Sequence, residues 1–134
     1  MYVKSFRDLE VYRLAKSISN EIYKLSLSFP RDETYSLTDQ IRRSSRSVGA
    51  QIAEAWGKRR FEKYFISKLT DSDGEQLETQ HWLGSALDCN YISAEKADEL
   101  LKRYDHIGNM LNSMILKASL FCYKQKPNQE DDPN

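Results

Sequence analysis

Four side chains carry most of the latent chemistry in this sequence: His81, His106, Cys89 and Cys122. Glu78-Thr79-Gln80-His81 has the Glu-x-x-His spacing that di-iron bundles turn inward, but that chemistry needs the pattern on two helices. His106 is preceded three residues earlier by Arg103, a cation where a carboxylate would be required. The apolar stripe of this segment also passes through Thr79 and Leu83, leaving Glu78 and His81 to one side. The cysteines form neither a disulfide framework nor a zinc spacing, and they read as reduced thiols of a cytosolic protein. No histidine stands near Cys89 to activate it. The expectation is therefore no catalytic residue, no metal, no cofactor and no enzyme.

The distribution of charge is more informative. The chain has 20 basic and 20 acidic side chains, so overall charge selects no partner. Residues 1–40 are balanced, with six of each sign. Residues 41–68 hold eight basic side chains against two acidic ones, a net of +6, and residues 69–134 hold six against twelve, a net of −6. Lys58, Arg59, Arg60 and Lys63 are the candidate nucleic-acid contacts, because neutralised phosphates supply most sequence-independent affinity. No tyrosine or phenylalanine platform for base stacking is evident beyond Phe61 and Tyr64 beside them. The competing reading is a cationic cluster that complements the C-terminal end of the preceding helix.

The elements that must position these residues are helices. Leu9, Tyr12, Ala15, Ile18, Ile22 and Leu25 make one apolar face of a first helix, from about Phe6–Leu9 to Ser28, stopped by Pro30. Ser36 is the N-cap expected for a second helix through Trp56, with Asp39 as the acidic partner of a capping box. A turn near Gly57–Arg60 leads to a third helix over Phe61–Asp88. Ser93, with Glu95 in the first turn, caps a fourth that runs to about Tyr123. Between Arg31 and Lys126 there is no proline, so long helices are permitted. Four amphipathic helices with short connections specify an all-α, antiparallel up-and-down four-helix bundle over residues 1–124. The polar, acidic segment 125–134 is expected to be a disordered tail.

Positions on the hairpin of helices two and three follow from about 100° per residue. Leu37, Ile41, Ser44, Ser45, Val48, Ile52 and Ala55 face inward. Arg46, Gly49, Ala50, Ala53 and Gly57 form an opposite stripe of unusually small residues. It reads either as a low-propensity surface or as a second packing face that joins copies of the chain, the oligomer interface. The seam of the third helix is polar at its middle. Ser72, Gln76 and Thr79 are expected to meet Ser44, Ser47 and Gln51 in a buried, hydrogen-bonded layer that fixes register. In a hairpin turning near residues 59–60, Arg46 should neighbour Asp73, and Arg42 and Arg43 should fall near Glu75 and Glu78. Lys58, Arg59, Arg60 and Lys63 would then lack carboxylate partners apart from Glu62.

One segment carries a family likeness. Ser47-Val-Gly-Ala-Gln-Ile-Ala-Glu-Ala-Trp-Gly-Lys-Arg-Arg60 resembles the signature of the four-helix bundle proteins encoded in 23S rRNA intervening sequences. Phe6–Tyr12, Phe65–Leu69, Glu78–Leu83, Ala86, Cys89 and Tyr91 resemble that family in the same order, so the likeness spans about residues 5–122. Gln51 stands where the family usually has Asn, Ala55 where Gly is frequent, and Gly49 where Pro or another small residue is common. The resemblance implies a ring-like homopentamer of unsettled molecular function, with RNA or DNA as a candidate ligand and a protein partner not identified. A related bundle, the accessory protein of diversity-generating retroelements, binds nucleic acid and a reverse transcriptase. The start, Met1–Arg7, has no apolar run of a secretory leader, and no stretch approaches a membrane span. A cytoplasmic location and no membrane partner are expected.

Overall fold

The computed structural model describes residues 3–124, so the acidic segment 125–134 lies outside the described residues. A short 3₁₀ turn, Phe6–Asp8, leads into α1 (Glu10–Ser26). The Ser5 hydroxyl accepts from the Arg7 N–H, and the Asp8 carboxylate accepts from the Lys4 and Ser5 N–H groups at 3.0 and 3.2 Å. Those backbone donors hold the Asp8 carboxyl below the usual carboxylate range. The helix ends two residues before Ser28, because the last turn loosens into shorter-range bonds ending at Phe29 N–H to Ser26 C=O, ahead of Pro30.

A second 3₁₀ turn, Arg31–Glu33, precedes α2 (Leu37–Gly57). Ser36 occupies the N-cap, but its side chain makes no capping bond. Its ψ of −108° departs from the extended geometry that aims a serine hydroxyl at the first turn. α3 spans Glu62–Asp88 and α4 spans Ala94–Leu116. Between them Asn90 takes a φ of 60°, and the Asn90 and Tyr91 N–H groups close back on the Leu87 and Ala86 carbonyls at 2.9 Å. This is a Schellman stop with Asn in the left-handed position usually given to glycine. Ser93 caps α4 as expected, accepting from Lys96 N–H at 3.1 Å.

The fourth helix does not run unbroken to Tyr123. It ends at Leu116, Lys117 leaves helical geometry, and a single turn, α5 (Ala118–Phe121), follows. The break turns Phe121 onto Phe65, with ring centroids 5.8 Å apart and nearly parallel.

The four long helices pack in an antiparallel ring: α1 on α2, α2 on α3, α3 on α4, and α4 back on α1. α2 and α3 share the most extensive contact. The core is Ile18 and Ile22 of α1, Ile41, Val48 and Ile52 of α2, Phe65, Leu69 and Leu83 of α3, and Leu100, Tyr104, Ile107 and Leu111 of α4. Among the described residues no helix is long and apolar enough to cross a membrane.

The polar layer is narrower than expected. Ser44, Ser72, Gln76 and Thr79 are buried. The Ser72 hydroxyl donates to the Val48 carbonyl at 2.8 Å, and the Thr79 hydroxyl meets that of Ser44 at 2.8 Å. Ser47 and Gln51 do not join them. Both are half-buried, and Gln51 opens onto an outer groove with Thr70, Asp71, Gly74, Glu75 and Glu78. Gln76 also turns away from α2. Its amide donates to Asp73 at 2.9 Å and accepts from Gln80 at 2.8 Å, and Gln80 reaches Asp105 of α4 at 3.1 Å. Gly108 makes the room, since a Cβ there would sit 2.8 Å from the Gln76 amide nitrogen. Tyr104 closes this end of the layer. Burial pushes its phenol far above the ordinary range, and Thr79 pulls the other way without reaching hydrogen-bond geometry.

Candidate nucleic-acid interface

The basic segment divides into two groups with different surroundings. In the first half of α2 the cations are engaged. Arg43 forms ion pairs with Glu75 and Glu78 of α3, as its place in the hairpin requires. Arg42 and Arg46 do not follow it. Four residues apart, they share a face about 100° round from Arg43, and that face meets α1. The Arg42 Nε donates to the Ser26 hydroxyl at 2.7 Å, and both guanidiniums lie over the Tyr23 ring, at 4.7 and 5.2 Å. Asp73, the partner expected for Arg46, bonds Gln76 instead. Near the turn, Lys68 is matched by Glu54 at 3.0 Å, which raises its pKa.

The second group lies at the turn. α2 ends at Gly57 and α3 begins at Glu62, so Lys58–Arg60 form the connection and Lys63 sits in the first turn of α3. Lys58, Arg60 and Lys63 are exposed. Among the described residues none of the three forms an ion pair. Arg60 lies over the Phe61 ring at 5.6 Å and Lys63 over Tyr64 at 5.1 Å, while Phe61 and Tyr64 meet edge to face at 5.7 Å. Cationic heads therefore stand at the water boundary beside half-buried rings, an arrangement that can take phosphate on the cations.

Arg59 is different from its neighbours. Its guanidinium stacks 3.5 Å from the Trp56 ring centroid and 4.9 Å from that of Tyr123. It donates to the Trp56 carbonyl at 2.8 Å and to the Tyr123 hydroxyl at 3.0 Å. The Tyr123 N–H in turn donates to the Arg59 carbonyl at 3.1 Å. Arg59 is thus a clasp that ties the end of the chain's described part to the hairpin turn. As expected it has no carboxylate partner among the described residues, but rings, a carbonyl and a hydroxyl engage it instead. Trp56 was detectable from its spacing of three residues to Arg59, but nothing local signals Tyr123, 64 residues away. α5 brings it there.

The small-residue stripe is also partly occupied by the chain itself. Gly49 is buried, with its Cα facing the Tyr12 ring of α1, where a Cβ would lie 3.5 Å from the ring edge. Ala53 is half-buried, whereas Arg46, Ala50 and Gly57 are exposed. Gly49, Ala50 and Ala53, with Phe6, Tyr12 and Ala15 of the N-terminal segment, line an open groove of about 360 Å³. The close approach expected at Gly49 is therefore made by α1, because α1 crosses this part of α2.

Among the described residues no three or more His, Cys, Asp or Glu side chains converge as metal ligands would. His81 and His106 are exposed, and Glu78 is committed to Arg43. Cys89 is exposed, and burial raises the pKa of the Cys122 thiol, which disfavours the thiolate.

No curated protein matches the chain. Among solved structures, a protein of unknown function from the S23 ribosomal protein family of Bacteroides thetaiotaomicron is similar at 27% identity and a TM-score of 0.71, over 79% of this chain and 95% of that one. The family model for the 23S rRNA-intervening sequence protein matches residues 7–113, and with that span covering the hairpin, its polar layer and the basic turn, the chain belongs to this family.

Proposed function

We propose that the protein is a non-enzymatic, self-associating four-helix scaffold whose working surface is the cationic rim at the α2–α3 turn, and whose ligand is the backbone of nucleic acid. The observation that carries this reading is the contrast within one basic segment. Arg43 and Lys68 are neutralised by carboxylates, while Lys58, Arg60 and Lys63 project into solvent beside Phe61 and Tyr64. The family's association with 23S rRNA intervening sequences, through its name, is consistent with an RNA ligand. Copies in a ring, a pentamer by family likeness, would repeat the rim and add weak contacts by avidity.

Titration of labelled single-stranded and duplex RNA and DNA at several salt concentrations tests the reading. Three neutralised phosphates per rim on a single strand give a log–log salt slope of about −2. Absence of binding at low salt would remove the nucleic-acid ligand.

A second reading, a scaffold for protein contacts alone, is favoured by the open groove between α1 and α2 and by exposed Ala50 at its edge. Light scattering distinguishes assembly from its absence. Ala50→Trp should lower the mass of the assembly while leaving helicity intact, since Ala50 is exposed. A wild-type monomer at micromolar concentration would rule out self-association.

A further inference from the structure

The clasp joins three flat groups at the hairpin turn: the Trp56 ring, the Arg59 guanidinium and the Tyr123 ring. Tyr123 is the outermost of them. Trp56 and Arg59 are half-buried, whereas Tyr123 is 63% exposed. A tyrosine that exposed is ordinarily free to rotate, but this one is pinned. Its N–H donates to the Arg59 carbonyl at 3.1 Å, its hydroxyl accepts from the guanidinium at 3.0 Å, and its ring lies against the same guanidinium. Two residues back, Phe121 is anchored on Phe65.

We propose that Tyr123 is the platform on which a base stacks while its phosphates lie on Lys58, Arg60 and Lys63, which makes single-stranded nucleic acid the ligand class; this assignment rests on the reading of the rim as a phosphate site. Three observations converge on it. The ring is beside the cations: Lys58 and Arg60 flank Arg59 in the chain, each Cα about 3.8 Å from its neighbour's, and Tyr123 sits on Arg59 itself. The ring is both open and fixed, exposed over most of its surface yet held by backbone, hydroxyl and ring contacts. The other rings of the turn are less open. Phe61 and Tyr64 are half-buried and meet edge to face, and Phe65 is buried against Phe121.

A ring that is already fixed gives up little conformational freedom when a base lands on it, so more of the stacking energy survives as affinity. Every base has a π-face, which makes such a contact tolerant of sequence. In a duplex those faces are covered by neighbouring base pairs, whereas a single strand can splay a base out onto an aromatic side chain. The Arg59 guanidinium carries further N–H donors at its edge, and Lys124, the residue after the ring, is exposed. A base on Tyr123 thus leaves the adjoining phosphates among cations. The clasp and the rim then act as one surface, with the ring selecting the strand and the cations holding its backbone.

The test titrates the full chain with labelled probes: a short oligouridine, an abasic strand of the same length and a duplex RNA. Wild type should bind oligouridine about tenfold more tightly than the abasic strand, the scale of one stacked base. Tyr123→Ala should erase that preference by weakening oligouridine alone. Its affinity for the abasic strand and the duplex, and the salt slope of binding, should stay as in wild type, because the phosphates contacted are the same. Tyr123→Phe keeps the ring without the hydroxyl's bond to Arg59 and should retain the preference. Equal wild-type affinity for oligouridine and the abasic strand overturns the platform while the rim remains a phosphate site. A preference that survives Tyr123→Ala overturns it by placing the stacked base elsewhere. A loss shared by all probes, or one that Tyr123→Phe also shows, overturns it because Tyr123 would then only hold the turn in shape. No binding of any probe by wild type at low salt removes the nucleic-acid reading and the platform with it.

Discussion

The two ends of the α2–α3 hairpin carry the same kinds of cation and use them differently. Toward the open end, Arg43 is held by Glu75 and Glu78 of α3, and Arg42 and Arg46 rest on Tyr23 of α1. At the turn, Lys58, Arg60 and Lys63 have no facing helix, because the chain reverses there. Charge that faces another helix is consumed in packing, and charge on the connection stays available. Arg59 marks the boundary between these regimes, since α5 brings Tyr123 onto the turn.

The sharpest break of the comparison is in the interior that fixes the packed half. Ser72 is fully buried against the Val48 carbonyl, and Ser72→Leu adds bulk where α2 and α3 touch. We expect a loss of about 3 kcal/mol in urea unfolding, from overpacking and the carbonyl's lost donor. A change under about 0.5 kcal/mol, the usual size for a surface site, would mean the two helices can part there freely.

At the other end, Lys58→Glu/Arg60→Glu/Lys63→Glu should weaken RNA binding by about 100-fold at low salt, or about 2.7 kcal/mol. Stability should move by less than about 0.5 kcal/mol, because all three side chains are exposed. Retained binding would place the site elsewhere. Substituting Arg59 is a separate experiment. Arg59→Ala removes both ring contacts and two hydrogen bonds, and should cost about 1.5 kcal/mol while speeding amide exchange in α5. An unchanged melting curve would reduce the clasp to a surface contact.

Arg43→Ala should cost only about 0.5 kcal/mol, since its side chain is 49% exposed and the pair is screened. The smallest effect is acid dependence on the α1–α4 side. The Arg103 hydrogen bond, set against some burial, holds the Glu21 carboxyl below its usual 4.5. A depressed carboxylate contributes fully above its unfolded pKa and loses that contribution as pH falls through the folded one. Glu21→Gln should therefore remove about 0.3 kcal/mol at neutral pH and flatten the stability loss below pH 4.5, read from urea midpoints across that range.

Helix existence, inward faces and the turn were decided by the sequence alone. Phe65, Leu69, Ser72, Gln76, Thr79, Leu83 and Ala86 recur at steps of three and four, and all seven are buried in α3. A helix turns about 100° per residue whatever surrounds it, so periodicity is local information. Pro30 ends the first helix and the absence of proline until the tail permits the long helices that follow, in the same local way. Arg43 met the carboxylates of α3 that the hairpin expectation assigned to it, but most other partners were decided only by the tertiary structure. The observed pairs Ser44–Thr79, Val48–Ser72 and Glu54–Lys68 shift the hairpin register by up to about one turn from the one expected at residues 59–60. The same packing turned Arg46 and Gly49 toward α1, sent Gln76 to the space over Gly108, and left Ser47 and Gln51 at the layer's edge. Arg59 met Tyr123 only because α4 broke at Lys117. Which face a residue lies on depends on its own helix, but what it touches depends on the rotation and offset of another helix, and those are settled when all four pack at once.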